Sequence, residues 1–164
     1  MRKLLTCLAF LFFGSTAHAQ WYVDFDGTVA MSPNQSIAIT CSHAFGGPTL
    51  EVFTTQRISP QSNPRVTFVF DGAGRMEWTA MHVAEIYAGP LEGPYGNSTQ
   101  PQYTLRFAFD NFGEALGHWL SVVEWFEQHD AVAFEFGSNT LGPFSLQGAG
   151  NVIQSVRAQS QFRC

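Results

Sequence analysis

The sequence predicts a mainly β fold, an antiparallel β-sandwich or one strongly curved sheet, with two helices in its C-terminal third. Apolar and polar residues alternate with a period of two over several short runs, which marks half-buried strands. Turn residues separate these runs, and only two late segments carry helical spacing. A doubly wound parallel fold would instead alternate strand and helix along the whole chain.

Residues 1–19 read as an export signal rather than as part of that domain. Arg2 and Lys3 supply positive charge, Leu4 to Phe13 is apolar, and Ala17-His18-Ala19 offers small residues at a cleavage site before Gln20. The apolar run is about half the roughly 20 residues that a spanning helix needs, and no later stretch is longer, so no transmembrane segment is expected after cleavage. Residues 20–164 are then a single β-rich domain in the periplasm or outside a bacterial cell. Removing 19 of 164 residues leaves 145, an ordinary size for one core. It also removes two of the eight basic residues and none of the thirteen acidic ones, taking the net charge from −5 to −7 and leaving no lysine. Such a chain has no basic footprint for nucleic acid.

Along the mature chain, Ile37, Ile39 and Cys41 face one way, with Ala38, Thr40 and Ser42 opposite; Leu50 and Val52 continue the pattern. Val66, Phe68 and Phe70 lead into Asp71-Gly72, and Met76 and Trp78 lead away, which predicts a hairpin turning at Asp71 to Gly74. Tyr103, Leu105, Phe107 and Phe109 form a second stripe, and Val132, Phe134 and Phe136 a third. The segments Ser59 to Pro64 and Ala88 to Pro101, rich in proline, glycine and asparagine, read as loops. Asn34-Gln35-Ser36 and Asn97-Ser98-Thr99 match the glycosylation pattern, which has no role in a bacterial envelope.

Helical spacing runs from about Phe112 to His129, with Asn111 as N-cap and Glu114 three residues on. Its apolar face reads as Phe112, Leu116, Trp119, Leu120, Val123 and Phe126, while Gly113 and Gly117 each cost about 1 kcal/mol relative to alanine and predict a late start. A shorter helix, Ala149 to Gln159, places Val152, Ile153 and Val156 together. His129 sits where a protonated imidazole is favoured by the helix dipole.

Of the three cysteines, Cys41 and Cys164 remain after cleavage. An exported compartment lets them oxidise, so a Cys41–Cys164 disulfide closing a loop of more than 100 residues is expected. Val23-Asp24-Phe25-Asp26-Gly27-Thr28 resembles the first motif of haloacid-dehalogenase-type phosphatases, which implies a nucleophilic Asp24, an acid-base Asp26 and Mg²⁺. The lysine and downstream acidic motif of that family are absent, so an Asp-Gly turn after a short strand is expected instead. Glu114 and His118, four apart on the outward side of the helix, are two ligands at most, too few for a metal site. No catalytic residue, metal or cofactor is therefore assigned.

Aromatic residues are abundant: 24 in the chain, three of them in the signal. Trp125 falls opposite the predicted apolar helical face, with His118, and with Tyr95 in the long loop it is the expected partner surface. The predicted function is a non-enzymatic envelope or secreted domain that binds a protein or plays a structural role. The alternatives are an inhibitor or immunity protein neutralising a specific enzyme, and the Mg²⁺-dependent phosphatase.

The order of elements also resembles the invasion-associated locus B family of bacterial envelope proteins. The shared features are the export signal, the early Trp21, the strand Val66 to Phe70 ending in Asp71-Gly72, and a tail in which a helix, the strand Ala131 to Phe136 and Phe144-Ser145-Leu146-Gln147-Gly148 lead into a short apolar helix. Members carry further cysteines near the first tryptophan and in mid-domain that this chain lacks. The resemblance implies a small, mainly antiparallel β domain with no catalytic residues to carry over.

Overall fold

The computed structural model describes residues 20–24, 27–42, 47–58, 61–62, 65–77, 84–89, 102–109 and 113–159. It is mainly β, with two antiparallel sheets and two helices. In chain order the elements are β1 (Tyr22–Asp24), β2 (Val29–Met31), β3 (Ile37–Ser42), β4 (Gly47–Thr54), β5 (Gln61–Ser62), β6 (Thr67–Phe70), β7 (Gly74–Glu77), β8 (Ala84–Gly89), β9 (Gln102–Ala108), α1 (Gly113–Gln128), β10 (Ala131–Phe136), β11 (Asn139–Ser145) and α2 (Ala149–Gln159). Seven strands form one sheet in the order β1-β2-β3-β4-β9-β8-β5, and four form the other in the order β11-β10-β6-β7.

The period-two stripes become the walls of one core. Ile37, Ile39, Leu50, Val52, Leu105 and Phe107 line the inner face of the larger sheet, and Phe68, Phe70, Val132, Phe134 and Phe136 line that of the smaller. Phe68 lies 5.0 Å from Phe107 across the sheets and 4.9 Å from Phe134 of its own sheet, both edge to face. The α2 residues Ala149, Ile153 and Val156 join the same core, and α2 packs on β1, β2 and β3, so a helix covers the part of the larger sheet away from β9.

The hairpin at Asp71 forms as predicted. Asp71 and Gly72 have φ of 48° and 75°, and Ala73 N–H donates to Phe70 O at 2.9 Å. Positive φ at both central positions is the primed turn whose twist matches paired strands. The β2–β3 connection is built by polar side chains: buried Ser32 accepts from the Ile37 N–H at 2.8 Å through Oγ, and Asn34 Oδ1 accepts from Ser36 N–H at 3.2 Å. The Asn34-Gln35-Ser36 motif therefore serves as hairpin chemistry here.

Several expectations need correction. The expected half-buried strands are covered on both faces near β3: Ala38 is as buried as Ile37, and Thr40, Thr49 and Thr104 are buried too. Val29, Met31, Ala38 and Phe53 make a second apolar cluster there, with Tyr22 packed against it. β11 is a strand where the sequence predicts only a lead-in to the last helix; β10 and β11 shift register between Val132 and Phe134, and Pro143 blunts β11 as the sheet's outer edge. β5 lies inside the predicted Ser59–Pro64 loop, and β8 takes Ala88 and Gly89 from the second one. α1 begins at Gly113 despite its glycines.

The two helices meet where Gly150 permits it: a Cβ there would come within 3.0 Å of Glu127 Cγ. Trp21, buried just past the predicted cleavage site, donates its indole N–H to Ser145 O at 3.0 Å and meets Phe126 edge to face at 6.4 Å. Trp119 is also buried, but its indole N–H has no acceptor among the described residues.

Two outcomes follow in urea-unfolding measurements. Phe68→Ala removes the ring that joins the sheets and is expected to cost about 3–5 kcal/mol. Trp21→Phe loses a hydrogen bond while Trp119→Phe removes an orphan donor, so the first is expected to cost about 1 kcal/mol more than the second.

Candidate functional site

At its C-terminal end α1 runs into β10, and β10 pairs with β6, which brings the β6–β7 turn beside the last helical residues. Asp71 occupies that turn. Its Oδ1 accepts from the backbone N–H of Asp130 at 3.1 Å and of Ala131 at 2.9 Å, and its Oδ2 lies 2.7 Å from His129 Nδ1. A carboxylate only accepts, so the Nδ1 proton is the one shared. The hydrogen bond from His129, followed by those from the Ala131 and Asp130 amides, holds the Asp71 carboxyl below its ordinary value against a smaller opposing effect of desolvation.

Aromatic rings complete the corner. Trp125 stacks on His129 at 5.0 Å and 27° and packs on Phe70 at 4.9 Å. Gly74 makes room: a Cβ there would stand 2.8 Å from Trp125 Cζ3. Among the described residues the His129 ring meets Asp71, Phe70 and Trp125, with no hydroxyl or thiol that it would activate. The arrangement orients an imidazole and ties a helix end to a hairpin.

Trp125 thus does not face outward, as its place on the helical wheel suggested. It is half-buried and packs against the core. The buried face of α1 is Trp119, Val122, Val123 and Phe126, rotated from the predicted one toward Trp125, and this rotation leaves Leu120 39 % exposed. The cause is tertiary: Phe70 and the Asp71 turn offer a surface to Trp125 that no spacing within the helix reveals. His118 is exposed, two turns before Trp125, about 10 Å along the axis. Tyr95 and Cys164 lie outside the described residues. Cys41, the only cysteine among the described residues, is buried and disulfide-bonded.

Asp24 ends β1, which pairs antiparallel with β2 through Asp24 and Val29 at the outer edge of the larger sheet. Phosphatase chemistry of the resembled kind is built on a parallel strand. Phe25 and Asp26 lie outside the described residues. Gly27 has φ 87°, a conformation that favours glycine, and it lies against the side chain of Gln159 at the end of α2. Among the described residues no group of three or more His, Cys, Asp and Glu is placed to hold a metal, and no helix is long and apolar enough to cross a membrane.

The Asp71–His129 pair was missed from sequence because its members are 58 residues apart and meet only through β6–β10 pairing. Asp71→Asn tests it, since asparagine also tolerates positive φ. A carboxyl held low in the folded state stabilises above its ordinary value near 3.8, and that contribution is lost as pH falls through the lowered value. Asp71→Asn is therefore expected to lower Tm at neutral pH, with the gap to wild type closing below about pH 4 in thermal melts. A gap that stays constant to low pH would assign the effect to something other than the ionised carboxylate.

Comparison of the chain with protein-family models, with curated proteins and with solved structures found no match.

Proposed function

We propose that the mature chain is a periplasmic or secreted bacterial domain that works by binding another protein and carries no enzymatic activity of its own. The observation that supports this best is the outward side of α1. Leu120, at 39 %, is one of two large apolar residues exposed among the described residues, and it stands in a row with half-buried Leu116 and exposed Glu124 at four-residue spacing. His118 and Trp125 stand about 140–160° around the helix from Leu120, so the row excludes both. Apolar groups within an acidic surface suit a partner that offers apolar contact ringed by basic groups. An inhibitor or immunity protein is the form of this reading that the net charge of −7 favours, since thirteen acidic residues stand against six arginines.

Leu120→Arg separates binding from folding, because Leu120 is not part of the core. Mature protein is expected to retain a partner from its native envelope, and Leu120→Arg to lose it with an unchanged Tm. Retention of the same partner set by Leu120→Arg would move the binding surface off α1.

We also propose that the bond of Cys41 is to Cys164. α2 ends at Gln159 against Gly27, and Cys41 N–H donates to Thr28 O at 2.9 Å, so the last helical turn stands beside the strand that bears Cys41. The five residues from Ser160 to Cys164 span up to about 17 Å when extended, ample for that return. Cys41→Ala is expected to cost up to about 4–5 kcal/mol by chain-entropy reasoning. Peptide mapping without reduction should recover Cys41 and Cys164 in one linked fragment; a different linkage would overturn the pairing.

A further inference from the structure

Along a helix, residues four apart line up in slanted rows, and two packed helices seat a row of one between two rows of the other. On the outward side of α1, Leu116, Leu120, Glu124 and Gln128 form one such row, half-buried at Leu116 and exposed from Leu120 onward. The next row begins with Gly117 and Ser121, both exposed. Gly117 has no side chain, and a Cβ placed there would meet nothing within 4 Å. The Ser121 hydroxyl donates to Gly117 O at 3.0 Å, so it lies back on its own helix. These two residues floor a groove beside the raised Leu116–Gln128 row, with His118 exposed on the far side.

Glycine inside a helix is costly relative to alanine, and nothing among the described residues calls for it at position 117. Its φ is not positive, unlike that of Gly72 or Gly148, and no neighbour approaches it as Glu127 approaches Gly150. The missing side chain instead leaves open backbone, which lets a second helix axis come to the near end of the usual separation of about 8–10 Å. Charge narrows what that second helix is. α1 contains no lysine or arginine. Glu124 accepts from the Gln128 amide and Glu127 from the Gln154 amide, both neutral donors, and they stand toward the negative end of the helix dipole. Asp130 is exposed just beyond. A second copy of this chain would set the same acidic strip against itself, and anionic lipid would be repelled as well.

We infer that α1 seats a helix of a partner protein, whose apolar side chains fill the Gly117–Ser121 groove beside Leu116 and Leu120 and whose Lys or Arg side chains meet Glu124 and Glu127. This rests on the reading of α1 as the binding face, and adds the form and charge of what it binds. Interlocking of rows four apart crosses the two axes at about 50°. α1 has 16 residues and is about 24 Å long, so a partner segment of about three turns lies within it. Such a segment carries apolar residues at three- and four-residue spacing, with its basic residues toward one end.

The test expresses the full chain in its native cells with a photo-reactive phenylalanine analogue in place of Gln128, at the end of the raised row, or of Thr140, exposed on β11, and identifies the cross-linked peptide by mass analysis. Gly117→Leu and Glu124→Lys are each introduced alongside the probe at position 128. The expected product joins position 128 to a segment with helical apolar spacing and Lys or Arg, and at least about tenfold less of it forms in either variant. Gly117→Leu is also expected to melt no lower than the starting protein, because leucine favours helix over glycine. An acidic, uncharged or strand-like protein segment, or an unchanged yield in either variant, would overturn the inference while leaving α1 as a protein-binding face. A second copy of this chain or a lipid joined to position 128 would overturn it too. Cross-linking from position 140 alone would overturn it and move binding off α1. No cross-linked protein from either position would remove the binding reading, and the inference with it.

Discussion

Phe68 stands where the two sheets meet, with Phe107 of the larger sheet and Phe134 of its own both at about 5 Å and both edge to face. Each aromatic side chain brings 150–250 Å² of surface out of water, and edge-to-face pairs add about 0.5–1.5 kcal/mol beyond that. Neither sheet is stable with its inner face wet, so the separation and alignment of the layers are set by how these rings interleave. The strand pairings and the seating of the helices depend on that spacing.

The helices close what the rings leave open. α1 brings Trp119 against Phe109 at 5.0 Å and Phe126 against Phe70 at 5.9 Å, and α2 adds Ala149, Ile153 and Val156 beside the first three strands. Trp21 joins this seam from the other end of the chain. The first and last parts of the described chain are therefore interdependent.

The Asp71 corner shows how a turn does more than reverse the chain. Positive φ at Asp71 and Gly72 tightens the hairpin, and the same carboxylate then caps the two backbone amides after α1 and holds His129. Trp125 is drawn down onto Phe70 by this assembly. That displacement turns α1 and exposes Leu120, so the proposed binding face results from packing on the opposite side of the helix.

Local pattern determined a good deal by itself. Alternation marked Val66 to Phe70, Leu105 to Phe109 and Val132 to Phe136 as strands, Asp71-Gly72 as their turn, and Ala149 to Gln159 as a helix, because periodicity and φ preference act over a few residues. Within the Asp24 to Thr28 motif, Gly27 has the positive φ that the expected turn favours. Only the tertiary structure decided which strands share a sheet, that Ala38 and Thr104 are buried on the second face, and that Trp125 packs on the core while Leu120 is exposed. Asp71 and His129, like Trp21 and Ser145, are joined across 58 and 124 positions. Contacts at such separations leave no periodic trace, because they arise from how completed elements stack rather than from the preferences of neighbouring residues.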